Sequence, residues 1–188
     1  MSRAAVPAAV VLALGGPPAS VDFGSVELGG AAHQTLPVPA LGVSAGGAGF
    51  SATRTPRGVL VVFEPYEPGE EATGVLVLRL RSGRLVRVAL HGRGIDTKPP
   101  SVTVATPQAV RAGRPLVVRF AATDNDLVRT CTLAVDGRVV ARTAWPAARF
   151  RWRVPLRLRG TVRLTITAVD RAGNRASAST RPVPVSTG

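Results

Sequence analysis

The sequence predicts an all-β fold of two sandwiches in tandem, and three observations point to it. The chain has 188 residues, long for one small sandwich of about 100 residues and suited to two. Its 20 glycines and 16 prolines are spread along the chain, which suits many short strands joined by tight turns. Its apolar residues recur at every second position in short runs, the pattern of half-buried strands. Hydrophobic residues make up 45% of the chain and aromatics only 4%, so the cores are expected to be built from Val, Leu and Ala.

At the N-terminus Arg3 precedes an apolar run from Ala4 to Leu14, followed by Gly15, Gly16, Pro17 and Pro18. A charged start, an apolar stretch too short to span a bilayer and small residues at Ala13 and Gly15 have the form of a secretory signal over residues 1–15, cleaved after Gly15. The same run also fits a first strand of the sandwich or the stub of a longer protein. The C-terminal run from Pro182 to Gly188 has neither a hydrophobic tail nor a sorting motif, so any anchor is expected outside this chain.

A first domain is expected over residues 17–95. Val59, Val61 and Phe63 alternate before Pro65. Leu76, Leu78 and Leu80 then face Val86, Val88 and Leu90 across Ser82 and Gly83, a hairpin that leaves Arg79, Arg81, Arg84 and Arg87 to the polar face or the turn. The run Val21-Asp22-Phe23-Gly24-Ser25-Val26-Glu27-Leu28-Gly29, the pair Gly49-Phe50, the run Val61-Val62-Phe63-Glu64-Pro65 with Pro68-Gly69, and the close Leu90-His91-Gly92-Arg93-Gly94 follow one another in family order. Together they resemble the ASH or Hydin-type immunoglobulin-like domains, which in bacteria include the choice-of-anchor D domains. The resemblance implies a seven-stranded sandwich used as a repeat or adaptor and brings no catalytic residue. Two departures stand out: the usual Asn-containing strand end is missing between Leu28 and Phe50, and His91 replaces a small polar residue.

The run Ile95-Asp96-Thr97-Lys98-Pro99-Pro100 marks the boundary, with a Pro-rich linker over residues 96–100 and a second domain over 101–188. Leu116, Val118, Phe120 and Ala122 alternate along one strand. Phe150, Trp152, Val154, Leu156 and Leu158 alternate with arginines along another, and Val162, Leu164, Ile166 and Ala168 with Thr161, Arg163, Thr165 and Thr167 along a third. Asp136-Gly137 is a hairpin turn between Val135 and Val139. Pro99-Pro100-Ser101-Val102-Thr103-Val104, Ala122-Thr123-Asp124, Val135-Asp136-Gly137 and Ala168-Val169-Asp170-Arg171-Ala172-Gly173-Asn174 resemble the bacterial immunoglobulin-like and cadherin-like modules of surface proteins. The lone Cys131 lies in the apolar run with Leu133 and Val135 and reads as a core residue, with no partner for an intramolecular disulfide and no Cys-rich zinc site.

The net charge is +13, and Lys98 is the only lysine among 24 basic residues. Displacement of lysine by arginine, with abundant Ala, Gly, Pro and Val, fits codon bias in a GC-rich genome; an anionic partner is the alternative reading of the same charge. On one strand Arg149, Arg151, Arg153, Arg157 and Arg159 are expected opposite Phe150, Trp152 and Val154. Such a ladder suits a cell-wall polymer, lipid headgroups or nucleic acid, and suits equally the solvated face of a strand in which arginine deters edge pairing.

Acidic loop residues form the second candidate. In immunoglobulin-like topology the loop with Asp124, Asn125 and Asp126, the loop with Asp170 and Asn174, and the entry segment with Asp96 emerge at one end. Asp96, Asp124, Asp126, Asp170 and Asn174 are therefore candidate ligands of a junctional calcium ion, as the cadherin-like resemblance implies, or else caps of turns. No catalytic set is found: His33 and His91 lie outside any nucleophile elbow or metal-binding helix, and Glu64, Glu67, Glu70 and Glu71 flank a Pro-Gly turn. The expected function is that of a non-catalytic, secreted or cell-envelope spacer or interaction module that binds protein or glycan in adhesion. Binding of an anionic polymer through the arginine strand is the alternative, and accessory domains of a larger exported enzyme the third reading.

Overall fold

The computed structural model describes residues 9–11 and 20–186, and the chain divides into two compact units, Met1–Asp96 and Thr97–Gly188. The expected signal segment lies mostly outside the described residues. Within it Ala9–Val11 forms a strand, β1, paired antiparallel with Ser20–Asp22.

In the first unit β1 is followed by β2 (Ser20–Glu27), β3 (Ala32–Leu36), β4 (Ala40–Gly46), β5 (Phe50–Thr55), β6 (Gly58–Phe63), β7 (Glu71–Leu80) and β8 (Leu85–Ile95). One sheet has the order β1-β2-β8-β7-β4 and the other β3-β6-β5. β2 runs parallel to β8, so that the first and last strands of the domain lie side by side. Every other pairing is antiparallel. This is immunoglobulin-like topology, with the first, third, sixth and seventh strands of the sandwich in one sheet and the second, fourth and fifth in the other.

Alternation decides what the core contains. Val59, Val61 and Phe63 on β6 are fully buried, as are Leu76 and Leu78 on β7 and Val88 and Leu90 on β8. The expected hairpin forms, with Leu76 opposite Val88 and Leu78 opposite Val86. Phe23, Phe50 and Phe63 meet at the centre with ring centroids 4.7–5.9 Å apart, within the range where aromatic pairs add to the gain from buried area.

The second unit comprises β9 (Ser101–Val104), β10 (Val110–Arg111), β11 (Pro115–Thr123), β12 (Val128–Val135), β13 (Arg138–Thr143), β14 (Ala147–Arg153), β15 (Thr161–Val162), β16 (Leu164–Asp170), β17 (Arg175–Ser179) and β18 (Val183–Ser186). A three-stranded sheet β14-β11-β9 faces a four-stranded sheet β13-β12-β16-β17 across the core, and β10-β18-β15 forms a third small sheet. With its first, second and fifth strands set against its third, fourth, sixth and seventh, this unit is an immunoglobulin-like sandwich too, although its first and fourth strands have each changed sheet relative to the first unit. Its core holds Val118, Phe120, Cys131, Leu133, Phe150, Leu164 and Ile166, with Phe120 and Phe150 stacked at 4.9 Å. Asp136 and Gly137 both have positive φ, 47° and 84°, as a two-residue hairpin turn matched to strand twist requires.

One expected strand is shorter than its pattern. The alternation from Phe150 to Leu158 continues past Arg153 in sequence, but β14 ends there. Pro155 has no N–H to offer a ladder, and the Leu158 N–H donates to the Pro155 carbonyl at 3.1 Å, closing a turn. Leu156 consequently stands 76% exposed instead of in the core.

Candidate functional site

The outer face of the β9–β11–β14 sheet is set by the same alternation that buries Phe150. Arg149, Arg151 and Arg153 are exposed on β14 and stand opposite Arg119, Val117 and Pro115 of β11. Successive arginines on the strand are about 7 Å apart, two residues of rise. Arg119 and Arg149 are directly opposite, a like-charge pairing that costs stability unless something else offsets it. Thr103 and Ala121 continue the face toward β9, so the strand positions that make up this surface include no acidic residue. Arg157 and Arg159, expected in the same ladder, instead occupy the turn after Pro155, where Arg159 donates to the carbonyls of Leu156 and Leu158 at 2.8 Å each.

Charge is divided unevenly between the units. The second carries sixteen of the 24 basic residues and four of the eleven acidic ones, a net of +12, and the first a net of +1. Of the four acidic residues, Asp126 is committed to Arg171, whose Nη2 and Nε reach its two oxygens at 2.6 and 3.0 Å. Asp136 accepts from the Arg163 backbone N–H at 2.8 Å.

The acidic loops converge within the second unit. Asp170, the last residue of β16, is buried, and its Oδ1 accepts from the backbone N–H groups of Gly173 and Asn174 at 2.6 and 2.8 Å. Its Oδ2 accepts from Asn174 Nδ2 at 2.8 Å. That amide also donates to the Lys98 carbonyl at 3.3 Å, tying the entry segment to the loop. Asp124 accepts from the Asp126 backbone N–H at 3.4 Å, the form of an Asx turn. Asp124 and Asp170 each place a carboxylate oxygen within 4.8 Å of the other. Asp96 follows β8 as the last residue of the first unit. Arg171, which neutralises Asp126, is not among the residues that the sequence marks as candidates; the available signal is a cation set directly after Asp170 within the Asp170-to-Asn174 run.

Both histidines are exposed on sheet faces, His33 on β3 and His91 on β8. Register places His91 between Asp22 on β2 and Thr73 on β7. That row has the residue types of a nucleophile, base and carboxylate, yet it lies on an open sheet face. The Asp22 carboxylate accepts from the Gly24 N–H at 2.8 Å, so it caps a local turn. Cys131 is fully buried, and burial pushes its thiol above the ordinary value, keeping it protonated and inert.

No family model and no curated protein matches the chain. Solved structures do. The fibronectin(III)-like modules of Clostridium thermocellum CbhA are 16% identical, with a TM-score of 0.46 over 87% of this chain and 89% of that one. The DIP-gamma IG1+IG2 pair is 12% identical, with a TM-score of 0.37 over 92% and 96%. Domains 3–5 of Drosophila OTK are 12% identical, with a TM-score of 0.41 over 87% and 58%. These are likenesses of fold, and no surface residue is carried over from them.

Proposed function

We propose that the chain is a non-catalytic interaction module of the cell exterior, two immunoglobulin-like sandwiches that present loop ends and sheet faces to a protein or glycan partner. The ASH or choice-of-anchor D resemblance of the first unit and the cadherin-like resemblance of the second point the same way. The observation that carries the reading is how the polar side chains are used. Asp126, Asp136 and Asp170 are engaged in turns and an ion pair, and the row Asp22, His91, Thr73 faces outward from a sheet. Catalysis by such a row would need a water-excluding site with aligned donors, which an open face does not supply. The test pairs a glycan and protein array with chromogenic ester, phosphoester and glycoside substrates. Binding without turnover supports the module; turnover abolished by His91→Ala overturns it.

A second reading is favoured by the arginine face of the second unit. Arg119, Arg149, Arg151 and Arg153 share one surface whose strand positions carry no carboxylate, so an anionic polymer laid along β14 would relieve the repulsion between them. No exposed aromatic ring lies between these arginines, so base stacking does not add to the attraction and a sugar- or polyol-phosphate polymer is the better fit. Its test is retention on an anionic matrix against salt, compared with the double variant Arg151→Glu and Arg153→Glu.

A further inference from the structure

The first unit carries a cavity of about 620 Å³ at the end of the sandwich where the β3–β4, β5–β6 and β7–β8 connections emerge. Arg54 at the end of β5, Arg57 in the β5–β6 connection and Arg81 in the β7–β8 connection line it, and no acidic residue does. The unit's acidic groups are placed elsewhere. Glu64, Glu67 and Glu70 lie in the β6–β7 connection, at the opposite end of the strands, and Glu27 stands at that same far end beside Ile95. A unit that is almost neutral overall is thus polarised, with guanidinium groups gathered at one loop end.

The cavity wall is stiff. The Val38 N–H donates to the Leu36 carbonyl at 2.8 Å and the Ala40 N–H to the Val38 carbonyl at 2.9 Å, two successive three-residue turns centred on Pro37 and Pro39. The fixed φ of proline suits that turn. Gly58 has φ 131°, and a Cβ there would come within 2.1 Å of the Leu36 carbonyl oxygen, so the β5–β6 turn is pressed directly against this wall. Arg54 Nη1 donates to the Leu41 carbonyl, which joins β5 to the start of β4. Loops at the end of a rigid sandwich are where this architecture places recognition.

We propose that this cavity binds a tetrahedral oxyanion, the phosphate or sulfate ester of a small ligand, whose uncharged body rests on Val38, Leu41 and the proline rings. Three guanidinium groups can each lie along a different edge of a tetrahedral anion, sharing its oxygens, whereas a carboxylate has a single edge of two oxygens to offer. A phosphate monoester carries close to two negative charges at neutral pH, which three arginines more than balance. Loops already held by proline turns lose little freedom on binding. The site is independent of the arginine face on the second unit and uses none of its residues.

The experiment is titration of the full chain, by calorimetry and by backbone amide shifts, with inorganic phosphate, sulfate, phenyl phosphate, acetate and chloride. Phosphate and sulfate should bind at least tenfold more tightly than acetate or chloride, with the largest shifts at residues 37–41, 54–58 and 81. Phenyl phosphate binding more tightly than phosphate supports an ester with an apolar body, and equal affinities support the free anion as the ligand. Arg57→Ala and Arg81→Ala alter exposed side chains and should each weaken binding about tenfold, while Arg138→Ala, at an exposed position on β13 outside both arginine surfaces, leaves it unchanged. Binding of acetate as tight as phosphate, or affinities unaltered by both cavity variants, would overturn the proposal.

Discussion

Removal of the Asp170 carboxylate is the perturbation whose cost follows most directly from the structure. Asp170→Ala takes the acceptor from three donors at once: the Gly173 and Asn174 N–H groups at 2.6 and 2.8 Å, and Asn174 Nδ2 at 2.8 Å. A buried donor left unpaired costs about 1–3 kcal/mol, and hydrogen bonds to a charged group lie at the upper end. The loop is partly open to water, which can satisfy some of these groups, so about 3 kcal/mol is expected in total. For a domain of this size that lowers Tm by roughly 12–24 °C. Trp145 and Trp152 are the only tryptophans and both lie in the second unit, so tryptophan fluorescence follows that unit alone while circular dichroism follows both. The tryptophan transition should fall by this amount and the remaining one should stay in place. Asp170→Asn, which keeps one acceptor oxygen, should fall about half as far. A tryptophan-monitored shift below about 3 °C in Asp170→Ala would refute the reasoning.

Arg151→Glu with Arg153→Glu should weaken binding to heparin or another polyanion roughly tenfold or more and move elution to lower salt, since such contacts are ionic and screened; elution unchanged by the variant would remove β14 as a polyanion surface. Millimolar calcium and chelator should give the same melting curve, because Asp126 is held by Arg171 and Asp170 by its own turn. A rise with calcium that is lost in Asp124→Ala would instead establish a cation site. Cys131 should resist thiol reagents until the second unit unfolds. Its raised thiol value means that stability from this group is intact below the unfolded thiol range and declines as pH rises through and beyond it. Stability constant from pH about 8 to about 10.5 would contradict that sign.

The strands were legible wherever one face of a sheet is buried. Val59, Val61 and Phe63, or Val162, Leu164, Ile166 and Ala168, alternate so regularly in sequence that only one face can be the core, and each of these residues is buried in the structure. The Asp136-Gly137 turn was equally plain, because few residue pairs accept positive φ twice in succession. The end of β14 was not. Leu156 and Leu158 continue the period-2 pattern, and only the turn closed on the Pro155 carbonyl removes Arg157 and Arg159 from the ladder. The opposition of Arg119 and Arg149 depends on register, which no single strand reveals. The cavity of the first unit draws on residues from three connections far apart in sequence, and neither composition nor spacing brings Arg57 beside Arg81.

The measurement that bears most directly on the proposed role is binding of the full chain to an array of envelope glycans and anionic polymers, with the bound glycans then recovered and weighed by mass spectrometry. Saturable binding to a restricted set of these polymers, each recovered with its mass unchanged, is the expected result; a bound glycan recovered cleaved or modified would contradict a non-catalytic interaction module.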